Sequence, residues 1–133
     1  MKANMLKHIL KRYPFSLLCI ALIWLLSLTP FFPETPLDNV EFIDKWTHLV
    51  MYGGTAGVIW TEHLRAHRQQ PNWQRLMLWA VAGMIALGGL IELIQAYCTT
   101  TRSGEWLDFL ADTVGVLLGG AYGIILYLLR KRL

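Results

Sequence analysis

The chain has 133 residues, enough for one domain. It is 55% hydrophobic and only 16% charged, against about 25% charged for an average soluble domain, so the totals exclude an ordinary soluble composition. The net charge of +3 does not point to nucleic acid, because its basic residues fall in clusters between apolar runs, the pattern of membrane topology.

Residues 14–32 read "PFSLLCIALIWLLSLTPFF", 19 positions without a charge. About 20 apolar residues cross a bilayer core of ~30 Å. The run follows the basic start "MKANMLKHILKR". It is longer than a signal-peptide core and no small-residue cleavage site closes it, so it reads as an uncleaved signal anchor. The second span is 46–61, short and containing His48. The third is 76–98 and contains Glu92; the fourth is 106–129 and contains Asp108 and Asp112. Trp46, Tyr97 and Trp106 sit at span ends, where aromatic residues mark the membrane interface. Short loops favour antiparallel neighbours. A soluble bundle would need polar outer faces, and the first span and the "VGVLLGGAYGIILYLL" part of the fourth offer no charged face. Cys19 and Cys98 fall in or at the end of apolar runs and have no zinc-type spacing. The expected fold is all-α: a four-helix transmembrane bundle forming a single integral membrane domain over residues 1–133.

Basic residues collect on the cytoplasmic side of a membrane protein. Lys2, Lys7, Lys11 and Arg12 precede the first span; Arg65, Arg68 and Arg75 lie between the second and third; Arg130, Lys131 and Arg132 follow the fourth. These are ten of the twelve basic residues, so both termini are expected inside. Lys45 and Arg102 fall at the opposite side, with Glu34, Asp38, Glu41, Asp44, Glu105, Asp108 and Asp112. Glu92 then lies about 7–9 Å below the outer end of its helix at 1.5 Å per residue. Gln95 follows on the same face, one turn nearer the surface.

Asp44, His48 and Tyr52 are spaced by four and share one helical face, as do Glu105, Asp108, Asp112 and Gly115. With Glu92, Gln95, Lys45 and Arg102 they converge on one outer-leaflet region. Ionisable residues inside spans face a bundle interior or cavity and pair there. The candidate pairs are Glu92 with Arg102, and Asp44 or Asp108 with His48 or Lys45. Asp44, Glu92, Glu105, Asp108 and Asp112 against Lys45 and Arg102 leave three excess negative charges. Plainer roles compete: Asp108 complements a helix dipole, Glu105 is solvated, His48 is a hydrogen-bonded structural histidine, Tyr52 is packing. Gly53 with Gly57, and Gly115, Gly119 and Gly123, repeat at four and read as helix-packing seams. Whether these join helices within one chain or between copies stays open.

Together "DKWTHLVMYGG" (Asp44, Lys45, His48, Tyr52), "ELIQ" (Glu92, Gln95), Arg102 and "DFLADTVGVLLGG" (Asp108, Gly115, Gly119) resemble the VanZ-like family of small membrane proteins. The match runs from about Trp24 to the end of the chain. Asp112 departs from it, since the family often has Asn there. The resemblance implies a link to resistance against teicoplanin, a lipoglycopeptide acting outside the cytoplasmic membrane.

Three functions are weighed. An outward pocket of Asp44, Lys45, His48, Tyr52, Glu92, Gln95, Arg102, Asp108 and Asp112 binds or modulates a cell-envelope lipid, glycolipid or lipoglycopeptide antibiotic. Alternatively, a membrane enzyme acts on a lipid-linked phosphate, with His48 and Asp44 as candidate catalytic residues; no nucleophile elbow or HExxH motif supports it. A proton relay through Glu92 and Asp112 ranks last, because the inner half of the membrane looks dry. Asp and His side chains can coordinate a divalent cation, but the spacing identifies no metal set, so no cofactor and no metal are expected. The expected partners are the lipid bilayer, an envelope ligand and a second copy through the glycine seams, without nucleic acid. The expected location is the cytoplasmic membrane.

Overall fold

A computed structural model describes residues 2–28, 43–98 and 106–132, without the side chain of Asp44. The described residues are helical apart from short connections and contain no strand. We number five helices: α1 Lys2–Arg12, α2 Pro14–Leu28, α3 Ile43–Ala66, α4 Trp73–Cys98 and α5 Trp106–Arg132. Residues 29–32 of the expected first span, with Glu34, Asp38 and Glu41, lie outside the described residues, as do Arg102 and Glu105.

The basic start is itself a helix. It sets Met5, Leu6, Ile9 and Leu10 on one side and Lys7 and Lys11 on the other. It meets α2 at a 93° bend. Pro14 begins α2 where its missing N–H has no helical partner to lose. Helix α3 is longer at both ends than the apolar run 46–61, because Glu62 and His63 at its far end are buried and hydrogen-bonded instead of solvated. Asn72 caps α4 by accepting from the Arg75 N–H at 3.1 Å. Inside α4, Met77–Ala82 form a π-helical stretch in which the Gly83 N–H reaches back to the Leu78 carbonyl. The wider turn re-phases the helix. Beyond it Met84, Gly88, Ile91, Glu92 and Gln95 fall on the buried side.

Helices α3 and α5 run parallel in closest contact: Gly53 faces Gly115, Gly119 faces Ala56, and Trp60 faces Gly123. A Cβ on Gly119 would stand 2.6 Å from the Gly53 carbonyl oxygen and 2.7 Å from the Ala56 Cβ. Only glycine permits this approach of backbones. The glycine seams thus join two helices of one chain. Helix α2 runs antiparallel to α3, with Ser16 against Glu62, and α4 antiparallel to α5, with Trp73 against Tyr127 and Gly88 against Asp112. The core gathers Ile23, Tyr52, Ala56, Trp60, Leu76, Met84, Ile91 and Val116.

The surface is the reverse of a soluble bundle's. Phe15, Leu18, Leu25, Leu93, Leu117 and Ile125 are exposed, while Glu62, His63, Glu92, Gln95, Asp108 and Asp112 are buried. Helices α4 and α5, at 26 and 27 residues, are each long and apolar enough to cross a membrane, and α1 with α2 forms a third candidate if the bent pair is one span. The protein is a membrane protein. Helix α3 is not among the candidate spans by that measure, because its glycines, threonines and histidines, with Glu62, keep its hydropathy low.

Candidate functional site

The polar residues sort into two clusters, one at each end of the bundle. The first joins α3, α4 and α5 at the end away from Lys2 and Arg132. Lys45 and His48 lie in the first two turns of α3, and Asp108 and Asp112 in the first two turns of α5. Because the helices are parallel and held close by the glycines below, these turns meet at one level.

The Lys45 ammonium lies 2.9 Å from Asp108 Oδ1. His48 Nδ1 donates to Asp112 Oδ1 at 2.8 Å, since a carboxylate can only accept. That bond aims Nε2 at the other carboxylate, with Asp108 Oδ2 3.7 Å away. Glu92 brings its carboxylate from α4, so that ligand-capable atoms of His48, Glu92 and Asp108 all lie within 4.8 Å of one another. Tyr52, one turn after His48, holds its ring nearly parallel to the imidazole, with centroids 6.4 Å apart. Asp112 is fully buried at 0% exposure, in space that Gly88 leaves open. A Cβ on Gly88 would stand 2.9 Å from Asp112 Oδ2.

Gln95 does something else. Its side-chain amide donates to the Ser27 carbonyl at 2.6 Å, satisfying an acceptor at the end of α2. It fixes the packing of α2 on α4. Of the nine expected site residues, Lys45, His48, Tyr52, Glu92, Asp108 and Asp112 are thus gathered, and Gln95 braces the wall beside them. Arg102 and the Asp44 side chain lie outside the described residues, and the expected pairings of Glu92 with Arg102 and of His48 with Asp44 lie there with them. The described partner of His48 Nδ1 is Asp112, which the sequence places four residues along the same face as Asp108.

The second cluster, at the opposite end, escapes a reading from span boundaries. Glu62 accepts from the Ser16 N–H at 2.6 Å, the Ser16 hydroxyl at 2.7 Å and the Phe15 N–H at 3.3 Å. Its carboxylate therefore caps the start of α2, where free N–H groups and the helix dipole favour an anion. Beside it, His63 Nε2 accepts from the Asn72 N–H at 3.0 Å, which leaves Nδ1 to donate to the Tyr13 hydroxyl at 2.8 Å. Arg130 donates to the Leu64 carbonyl. One sequence signal marks this cluster: Glu62 is the single acid among the ten basic residues of that end, while the other eight acids lie elsewhere.

The first cluster is the better candidate site. In the second every polar atom described closes a contact between helices. In the first, the Tyr52 hydroxyl and Asp112 Oδ2 are buried with no hydrogen-bond partner among the described residues. Such groups are rare unless a ligand, ion or water completes them. Comparison with known protein families, with curated proteins and with solved structures found no match for this chain.

Proposed function

We propose that the chain is a four-span membrane protein of the VanZ-like kind, whose His48–Glu92–Asp108–Asp112 cluster binds the head group of an envelope lipid or glycolipid, or a lipoglycopeptide antibiotic. The spans are α2, α3, α4 and α5, with α1 lying along the cytoplasmic surface. Its basic amphipathic pattern and exposed Met5, Leu6 and Leu10 suit an interfacial helix. The ten clustered basic residues support both termini being cytoplasmic, in the cytoplasmic membrane. The cluster then faces outwards, just under the interface marked by Trp46, Tyr97 and Trp106, all exposed.

The observation that carries the reading is the burial of three carboxylates around a half-buried imidazole at one end of an otherwise apolar bundle. Charge in such a place is expensive and points to a ligand site. Lys45 offers a cation for a phosphate or carboxylate, while Glu92 and Asp108 accept from amines or hydroxyls. The test is teicoplanin susceptibility of cells, together with lipid retained on the purified protein, for Glu92→Gln and Asp108→Asn. Loss of protection and of bound lipid in well-expressed variants is expected. Unchanged behaviour in both assays overturns the reading.

The His48–Asp112 hydrogen bond favours one alternative, in which an oriented imidazole acts as general base on a lipid-linked phosphate. Turnover of such a lipid by the purified protein, abolished by His48→Gln, would distinguish it from binding alone.

A further inference from the structure

We infer that His48, Glu92 and Asp108 form a binding site for one divalent transition-metal cation, such as Zn2+ or Mn2+, with Asp112 positioning the imidazole. The three ligands come from α3, α4 and α5, so no spacing along the sequence displays them. That is why a reading of motifs finds no metal set.

The geometry has three parts. First, Zn2+ holds imidazole nitrogen and carboxylate oxygen at about 2.0–2.2 Å, which puts ligand atoms no more than about 4.4 Å apart. The three candidate atoms already lie within 4.8 Å of one another, and the long Glu92 side chain can close the remainder. Second, the 3.7 Å between His48 Nε2 and Asp108 Oδ2 is too long for a hydrogen bond and suits two ligands of one ion. Third, the Nδ1–Asp112 bond at 2.8 Å is the carboxylate–histidine arrangement that fixes the ring of a metal ligand and raises its basicity.

Charge and burial agree. With a neutral imidazole, Glu92, Asp108 and Asp112 carry three negative charges against the one positive charge of Lys45, counting the described side chains. A divalent cation lowers that negative excess. Lys45 engages Asp108 through Oδ1, which leaves Oδ2 on the His48 side. Next to the ligands, the hydroxyl of the fully buried Tyr52 and Oδ2 of the fully buried Asp112 have no hydrogen-bond partner among the described residues. Waters on a three-ligand cation supply both kinds of partner.

The inference concerns the ion alone, so it is tested without any lipid. Full-length protein in detergent is stripped with chelator, dialysed against Zn2+, and its metal content and affinity are measured. Co2+ then replaces Zn2+ as a visible-absorption probe. One Zn2+ per chain is expected, with a Co2+ spectrum of mixed nitrogen and oxygen ligation. His48→Gln should abolish uptake. Asp112→Asn should weaken it about 10- to 100-fold and shift the Co2+ bands. His8→Gln and His67→Gln, away from the site, should leave it unchanged. Folded wild-type protein that takes up no Zn2+, Mn2+ or Co2+ overturns the inference, as does uptake that survives His48→Gln or disappears with His67→Gln. Lipid or antibiotic binding without metal uptake would leave the proposed function standing and remove only the cation.

Discussion

Two buried carboxylates with different duties show how residue chemistry divides this molecule. Asp112 is fully buried and spends one oxygen on His48, leaving the other without a partner among the described residues. Glu62 is also buried, yet both of its oxygens accept from α2. The first belongs to a site, the second to a joint. Removing Glu62 therefore has a structural consequence. Glu62→Ala strands two amides and a hydroxyl at the start of α2 in apolar surroundings. Hydrogen bonds to a charged group contribute about 1.5–3 kcal/mol each, and an orphaned buried donor costs a similar amount. Unfolding of Glu62→Ala in mixed micelles should show a loss of at least about 2 kcal/mol, with metal uptake at the other end retained. A stability equal to wild type would show that Glu62 is not the cap of α2.

Among the elements, α3 is the one whose character depends most on its neighbours. Its glycines and its charged ends weaken it as an isolated apolar span, and α5 supplies what it lacks: close backbone packing along Gly53, Gly115 and Gly119, and carboxylates for Lys45 and His48. A side chain at Gly115 would collide with the Leu49 carbonyl. Gly115→Val should thus destabilise the fold by about 3 kcal/mol or more, beyond ordinary overpacking because backbone atoms must move. Gly54, on α3, has nothing within 4 Å of where its Cβ would stand. Gly54→Ala should be neutral or stabilise by up to about 1 kcal/mol through helix propensity. Equal effects of the two substitutions would contradict the seam. The seam was legible in the sequence because small residues repeating at four have one geometric use on a helix. So was the convergence of His48, Glu92, Asp108 and Asp112, because helical period and charge bias together fix depth and face. The choice of Asp112 over Asp44 as the described partner of His48 Nδ1 was not legible, since it depends on how far α3 and α5 are offset. Neither was the helix α1, whose polar composition hides an amphipathic pattern, nor the reach of α3 to Ala66, which requires knowing that α2 brings N–H groups to Glu62.

At the scale of the whole molecule, the two clusters give the bundle a polarity. The end near Lys2 and Arg132 carries Arg65, Arg68, Arg75, Arg130 and Lys131, and its buried Glu62 and His63 are held in joints between helices. The opposite end carries the incomplete site and the exposed aromatic residues. In the proposed four-span topology both termini share one face, and the basic bias assigns that face to the cytoplasm. The cysteines allow this to be measured. Cys98 is exposed at the end of α4 beside the site, whereas Cys19 is half-buried within α2. In intact spheroplasts of a Cys19→Ala background, a membrane-impermeant maleimide should label Cys98 directly. In a Cys19→Ala, Cys98→Ala background carrying Arg132→Cys, labelling should require permeabilisation. The reverse pattern would turn the site towards the cytoplasm and rule out an envelope ligand reached from outside. Labelling of both positions from outside would mean that α5, the one helix between them, does not cross the membrane, and α5 supplies Asp108 and Asp112. Among the proposed spans, α3 is not apolar enough to be a candidate by itself, and it carries the imidazole of the candidate site. The proposed topology and the proposed chemistry thus both depend on its packing against α5.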